Sequence, residues 1–265
     1  MSVQAITTVA EPLLEGKFRW MELSHTGAYL EALYVLFDIA REELWMEDKY
    51  LHSVFYAKNV NRSSMVRLHS QKRPAVRSTY KIYGGLIKQG NSSVTIETQL
   101  YETIGNSQPQ LLASGIATIV VIARDPHVRT VKIPQDVHLP VLQDPSLYSY
   151  TQQSIPSSLP DEAVVCTTQC VRPSDCGKTG HISNTKYAAL FVDAFKANFK
   201  PVQTVESIVG LDILFEQEVF APEEIAVWGW QENDNQYVFV LTRQDGSVGS
   251  KARITVQMEP VKPRL

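Results

Sequence analysis

His181 follows Gly180 where a helical pattern begins, and histidine is the side chain best suited to carrying a proton near neutral pH. Asn184, three residues on, either orients a partner group or favours the first helical turn. Asp175, just upstream, takes part in chemistry, pairs with Arg172 or caps a turn. Farther along, Glu216 and Glu218 alternate on a strand-like run, which puts both on one face, where one carboxylate raises the pKa of the other. Glu22 and His25 lie in a similar loop of the first half, and His25 could approach an interface site. Glu31, on the helical pattern after that loop, is a further candidate base. Cys176 near a helix start could have a depressed pKa and act as a nucleophile, whereas Cys166 and Cys170 share a strand face and read as core thiols. The cysteines lack the close C-x₂-C pairing of a zinc site, so no metal and no cofactor is expected. The sequence contains no phosphate loop, dinucleotide fingerprint or G-x-S-x-G elbow.

The elements that must position these residues repeat. Shifted by 153 residues, FRWMELSHTGAYLEALY (18–34) lies on VRPSDCGKTGHISNTKY (171–187) without a gap, matching Arg19 to Arg172, Thr26 to Thr179, Gly27 to Gly180 and Tyr34 to Tyr187. Each segment follows a β-like run (VQAITTVA; AVVCTTQCV) and leads into a helix. Leu30, Leu33, Tyr34, Phe37 and Leu44 form the apolar stripe of the first helix; Tyr187, Leu190, Phe191, Ala194 and Phe195 form that of the second, which Pro201 limits. Period-two runs predict strands at 76–87, 92–102 and 111–123, then at 208–220, 224–232, 236–244 and 252–258. Gly84-Gly85 reads as a bulge; Gln89-Gly90-Asn91, Asp234-Asn235 and Asp245-Gly246 read as turns. Residues 134–160, with five prolines, read as an extended surface linker. The expected organisation is a first unit at 1–133, a linker at 134–162 and a second unit at 163–265, each a long helix wrapped by a mostly antiparallel sheet.

The composition narrows the classes. With 44% hydrophobic and 20% charged residues, the 265-residue chain can bury a core. Its longest apolar run, 116–123, is interrupted by Thr118 and falls far short of the ~20 residues a membrane helix needs. Few cysteines and no basic leader at the start predict a cytoplasmic protein. The net charge of −3 hides a stretch from Lys49 to Ile96 that has nine cations and no acid, leaving −12 on the remainder. Such a stretch would attract a polyanion; nucleic acid is disfavoured because no recognition motif accompanies it and the pI is about 6.1.

The run Asp175, Gly180, His181, Asn184, Tyr187, opening a helix after a strand, resembles the motif of the hotdog-fold thioesterases. The end of the first half, IARDPHVRTVKIPQDV, is similar to the end of a hotdog unit, and two units in one chain resemble the double-hotdog acyl-carrier-protein thioesterases. The resemblance implies an α+β fold of two tandem hotdog units and hydrolysis of an acyl or aryl thioester, with coenzyme A or acyl carrier protein as the substrate carrier. It implies neither nucleic acid nor membrane as partner, and a monomer or homo-oligomer of double units. It places His181 as the family's histidine and Glu218, in LFEQEVF, at the glutamate of the plant enzymes, with Asp175 as a second acidic position. Helix N-terminal N–H groups near Thr179, Gly180 and His181 would hold the oxyanion, and the basic stretch would receive pantetheine phosphates or an acidic carrier. The chain departs from the pattern where Gly177, and Ser24 in the first repeat, replace the usual aspartate, and where Thr179 replaces an asparagine. That departure keeps open a dehydratase or isomerase in a biosynthetic pathway, or a non-catalytic thioester-binding protein.

Overall fold

The computed structural model describes residues 11–18, 28–46, 59–69, 74, 78–123, 129–133, 154–156, 158–177, 180–199 and 207–257. The chain divides into two compact units. One comprises residues 1–24, 32–64 and 68–151; the other takes 25–31, 65–67 and 152–265.

Strand β1 (Leu14–Lys17) precedes helix α1 (Ala28–Met46), followed by β2 (Asn59–Leu68), β3 (Thr79–Gln89), β4 (Ser93–Thr103), β5 (Gln110–Ala123) and the short β6 (Arg129–Thr130), all in the first unit except residues 28–31 and 65–67, which belong to the other. The sheet order is β1-β3-β4-β5-β2, with β6 beside β5. The pairs β1/β3, β3/β4, β4/β5 and β5/β6 are all antiparallel. Strands β3, β4 and β5 fall within a few residues of the expected runs, because their alternation is local. The five stripe residues of α1 are all buried. Leu44 packs with Leu86, Val94, Ile96, Ile119 and Val121 from the sheet. Gly115 on β5 lets the helix come close: a Cβ there would lie 2.7 Å from a ring carbon of Phe37.

Several local features differ from expectation, among them β1, which lies outside the runs read as strands. Gly84 and Gly85 pair in register with Thr98 and Glu97, and the register slips instead between Leu86 and Lys88. Gly84 serves close approach, since a Cβ there would sit 2.8 Å from Leu13. Strand β2 was not anticipated, because NVNRSSMVRL buries Ser63 and Ser64 and so carries no apolar alternation. The early run VQAITTVA and the core of the linker lie outside the described residues.

In the second unit β7 (Val164–Cys170) is followed by a 3₁₀ turn (Pro173–Asp175), helix α2 (Asn184–Asn198), β8 (Ser207–Phe215), β9 (Glu224–Asn233), β10 (Gln236–Arg243) and β11 (Val248–Gln257). The order β8-β11-β10-β9-β7 is antiparallel throughout. Tight turns at Asp234-Asn235 and at Asp245-Gly246 join the hairpins, with Gly246 at φ +80°. Helix α2 contacts β7, β9 and β11. Its stripe meets sheet aromatics: Phe191 lies 6.2 Å from Phe239, Phe195 4.9 Å from Tyr237 and Tyr187 5.4 Å from Phe215, between ring centroids. Burying each phenylalanine contributes about 1.5–3 kcal/mol, far more than helix propensity supplies over one turn. That packing fixes where the amino end of α2 emerges.

The three thiols are free, and Cys170 is exposed on β7 rather than part of the core. Strand β7 is the sheet's last strand, and its burial pattern leaves it largely open. Cys166 is half-buried, and burial pushes its pKa up to about 11.

Candidate functional site

The site is built around the amino end of α2, within the second unit. Arg172 to Cys176 form a tight 3₁₀ turn, and Gly177 beyond it pairs with His181. The Gly177 N–H donates to the His181 carbonyl (2.9 Å), and the Gly180 N–H donates to the Gly177 carbonyl (3.0 Å). Gly180 has φ +82°, in the left-handed region that favours glycine. Past His181, Ile182 donates to Val219 (2.9 Å) and Ser183 N–H to Asp175 (3.1 Å), both to carbonyls. Ser183 is the N-cap of α2, its hydroxyl accepting the Lys186 N–H. Asn184 is the first helical residue. Among the described residues, the N–H groups of Asn184 and Thr185 have no hydrogen-bond acceptor, as expected in a first helical turn.

His181 and Glu218 meet here. The loop 216–220 runs back along the loop before α2, with an isolated antiparallel bridge between His181 and Phe220. The His181 Nδ1 stands 3.5 Å from Glu218 Oε1, with the side chains 26% and 28% exposed. The Phe220 ring stands edge-on to the imidazole at 6.2 Å. Beneath them lies the buried Tyr187, whose phenol is pushed up by burial and then by the Glu223 and Glu218 carboxylates. Such a pair has a definite chemistry: a carboxylate at Nδ1 selects the tautomer with its proton there, leaving Nε2 as a proton acceptor.

Glu218 does not lie on a strand. Strand β8 ends at Phe215, and Glu216 and Gln217 turn away, both N–H groups donating to the Gly249 carbonyl at 3.0 Å. Glu216 is not a partner carboxylate of Glu218 on a shared strand face; its carboxylate lies 3.1 Å from Lys251 Nζ.

Asp175 is occupied structurally. It accepts the Arg172 N–H at 3.0 Å and lies 3.2 Å from Lys186 Nζ. Burial raises its pKa, but the Arg172 N–H and the Lys186 ammonium outweigh burial and hold it below the ordinary carboxylate value. It ties the 3₁₀ turn to the first turn of α2 and is a poor base. The Gly180 N–H, assigned above to an oxyanion, is used within its turn. Thr179, Glu22, His25 and Ser24 lie outside the described residues, as does the side chain of Glu31.

Sequence reasoning missed the polar cluster behind Glu218. Arg243, at the end of β10, donates to both Glu223 oxygens (2.6 and 3.3 Å) and to Gln217 Oε1 (2.9 Å). Gln217 Oε1 also accepts from the Ser247 hydroxyl. Gln217 and Glu223 lie in or near the LFEQEVF run but Arg243 is 23 residues beyond its end, so no local pattern singles the three out. Of the basic stretch, Arg67 is turned onto Asp212 (2.5 and 2.7 Å) and Lys81 faces Glu15 at 3.6 Å. Lys49, Lys58, Lys72, Arg73 and Arg77 lie outside the described residues.

No protein-family profile matches the chain, and no curated protein matches it. Solved structures do. The chain is similar to a putative oleoyl thioesterase from Lactobacillus plantarum, at TM-score 0.70 and 17% identity, covering 93% of this chain and 96% of that one. It is similar to the 12:0-ACP thioesterase from Umbellularia californica, at TM-score 0.69 and 13% identity over 95% and 100% of the two chains. It is also similar to an acyl-ACP thioesterase from Bacteroides thetaiotaomicron, at TM-score 0.65 and 12% identity over 92% and 96%. At these identities the likeness is one of fold. The chain has the fold of the hotdog thioesterases, as its motif implied.

Proposed function

We propose that the protein hydrolyses an acyl thioester carried by coenzyme A or acyl carrier protein. The single observation that carries this reading is the His181–Glu218 pair, 3.5 Å apart beside the amino end of a buried helix. The fold neighbours that bear thioesterase names support it.

The chemistry follows from the arrangement. Glu218 at Nδ1 keeps the proton there and leaves His181 Nε2 to take a proton from water as that water attacks the thioester carbonyl carbon. The carbonyl oxygen becomes an oxyanion, for which the Asn184 and Thr185 N–H groups and the positive end of α2 are suitable donors. When the C–S bond breaks, the imidazolium returns its proton to the leaving sulfur, giving a carboxylic acid and a thiol. Glu218 stabilises the imidazolium between these steps. Asp175 is assigned to holding the amino end of α2 rather than to the reaction.

The remaining assignments belong to the same proposal. Residues 1–133 and 163–265 form two tandem hotdog units joined by 134–162, and the protein works in the cytoplasm. The basic stretch from Lys49 to Ile96 receives the phosphates of the carrier arm. Gly177, standing where the family's aspartate is usual, favours keeping a second reading: the same dyad moving a proton on the acyl chain with the thioester left intact.

Purified protein incubated with a panel of acyl-CoA and acyl-carrier-protein thioesters, with free thiol followed continuously, tests this. Thiol release abolished by H181Q is the expected result. Water loss or a moved double bond without thiol release selects the dehydratase or isomerase reading. Ligand-dependent thermal stabilisation without turnover selects a binding protein.

A further inference from the structure

We infer that Arg243 and Glu223 are positioning residues that hold the Glu218 carboxylate against His181. The inference rests on the dyad proposed above and extends it to groups that touch neither His181 nor substrate. Glu218 sits in a loop between the end of β8 and the start of β9, where the sheet ladder no longer fixes the backbone. Backbone bonds from Gln217 to Gly249 and from Ile182 to Val219 anchor its neighbours. The side chains around the loop set its remaining freedom, which matters because a misplacement of about 1 Å in a catalytic group costs as much as ~10²-fold in rate.

The guanidinium grips the loop on both sides of Glu218. On the near side, Arg243 Nη1 donates to Gln217 Oε1 at 2.9 Å, the residue before Glu218. On the far side, Nε and Nη2 donate to the two oxygens of Glu223 at 2.6 and 3.3 Å. Glu223 closes a turn with Phe220: its Oε2 accepts the Phe220 N–H at 3.4 Å and its own N–H donates to the Phe220 carbonyl at 3.0 Å. Phe220 in turn is bridged to His181. One planar fork thus spans residues 217 and 223, and only arginine has the fixed donors to do so. Glu223 is well shielded and Arg243 only a quarter exposed, so water competes poorly for these bonds. A surface ion pair that merely decorated a hairpin end would have no reason to reach Gln217 as well.

The test uses R243M, R243K and E223Q in the full chain, with E218Q as reference and thermal melts to show that each folds. Two readouts are taken. The first is kcat and KM for a hydrolysed thioester. The second is the ¹⁵N signature of the His181 ring, assigned by its loss in H181Q, which reports the Nδ1–H tautomer whether or not the protein turns over a thioester. In R243M we expect kcat to fall roughly tenfold to a hundredfold with KM changed less than about threefold, since the loss is of geometry and not of binding. The His181 signature of R243M should move toward that of E218Q, and R243K should fall between R243M and wild type. If R243M fails to fold, E223Q carries the same expectations. A folded R243M or E223Q with wild-type kcat and a wild-type His181 signature overturns the inference. So does an E218Q whose His181 signature equals wild type, because Glu218 would then not engage the ring. If the wild-type protein hydrolyses no thioester, the activity proposed above falls, and the ring signature alone decides the positioning claim.

Discussion

Removing the charge of Glu218 while keeping its shape, with E218Q, probes the dyad most directly. In the ground state the pair lies 3.5 Å apart. Two unit charges at that distance attract by about 1 kcal/mol at the dielectric of bulk water, and by about 5 kcal/mol at an effective dielectric of about 20. Both side chains are about a quarter exposed, so the value lies between these limits, near 2–3 kcal/mol. The imidazolium exists only after water has given up its proton, so nearly all of that attraction is felt in the transition state and little in the ground state. At about 1.4 kcal/mol per tenfold, kcat should fall by roughly 10²-fold with KM little changed. H181Q should remove the base itself and lose more. The double variant should be no worse than H181Q, because Glu218 acts only through the ring. Continuous thiol release under saturating substrate measures all three. An E218Q within threefold of wild type would refute the dyad. Additive losses in the double variant would mean that Glu218 acts on water directly, not through His181.

Three further outcomes are expected. D175N should lower the melting temperature at pH 7 by a few degrees, corresponding to about 0.5–1 kcal/mol for a partly exposed pair, with kcat little affected. Because the folded pKa of Asp175 is depressed, its contribution is present above the unfolded carboxylate value of about 3.9 and fades as pH falls through the lower folded value, so the difference in melting temperature should vanish in acid. G249A should place a Cβ 2.7 Å from Val219 and 3.0 Å from Leu241, costing about 1–3 kcal/mol and lowering kcat by pushing the Glu218 loop; unchanged melting and kcat would contradict the packing described. Alkylation at pH 8 followed by mass spectrometry should label the exposed Cys170 well before Cys166, whose pKa burial raises to about 11; equal labelling would contradict that assignment.

The sequence alone determined most of the secondary structure, because hydropathy period is a property of neighbouring residues. Strands β3, β4, β5, β9 and β10 fall close to their alternating runs, and the stripes from Leu30 to Leu44 and from Tyr187 to Phe195 are buried. The motif before α2 was legible through its resemblance to a family's, whereas the positive φ of Gly180 and the N-cap at Ser183 emerged only from the structure. Strand β2 was not, because its buried side chains include serines whose burial depends on what covers them. Tertiary structure alone decided which polar groups meet. Glu218 reaches His181 only because β8 stops at Phe215 and the Gly249 carbonyl turns the chain out of the sheet. Arg243 grips that loop because β10 ends beside it, and Asp175 is taken by Lys186 because the turn of α2 brings the ammonium within 3.2 Å. An ion pair leaves no periodic trace in a sequence. Its partners are chosen by strand order and loop path, which are set by the packing of the whole unit.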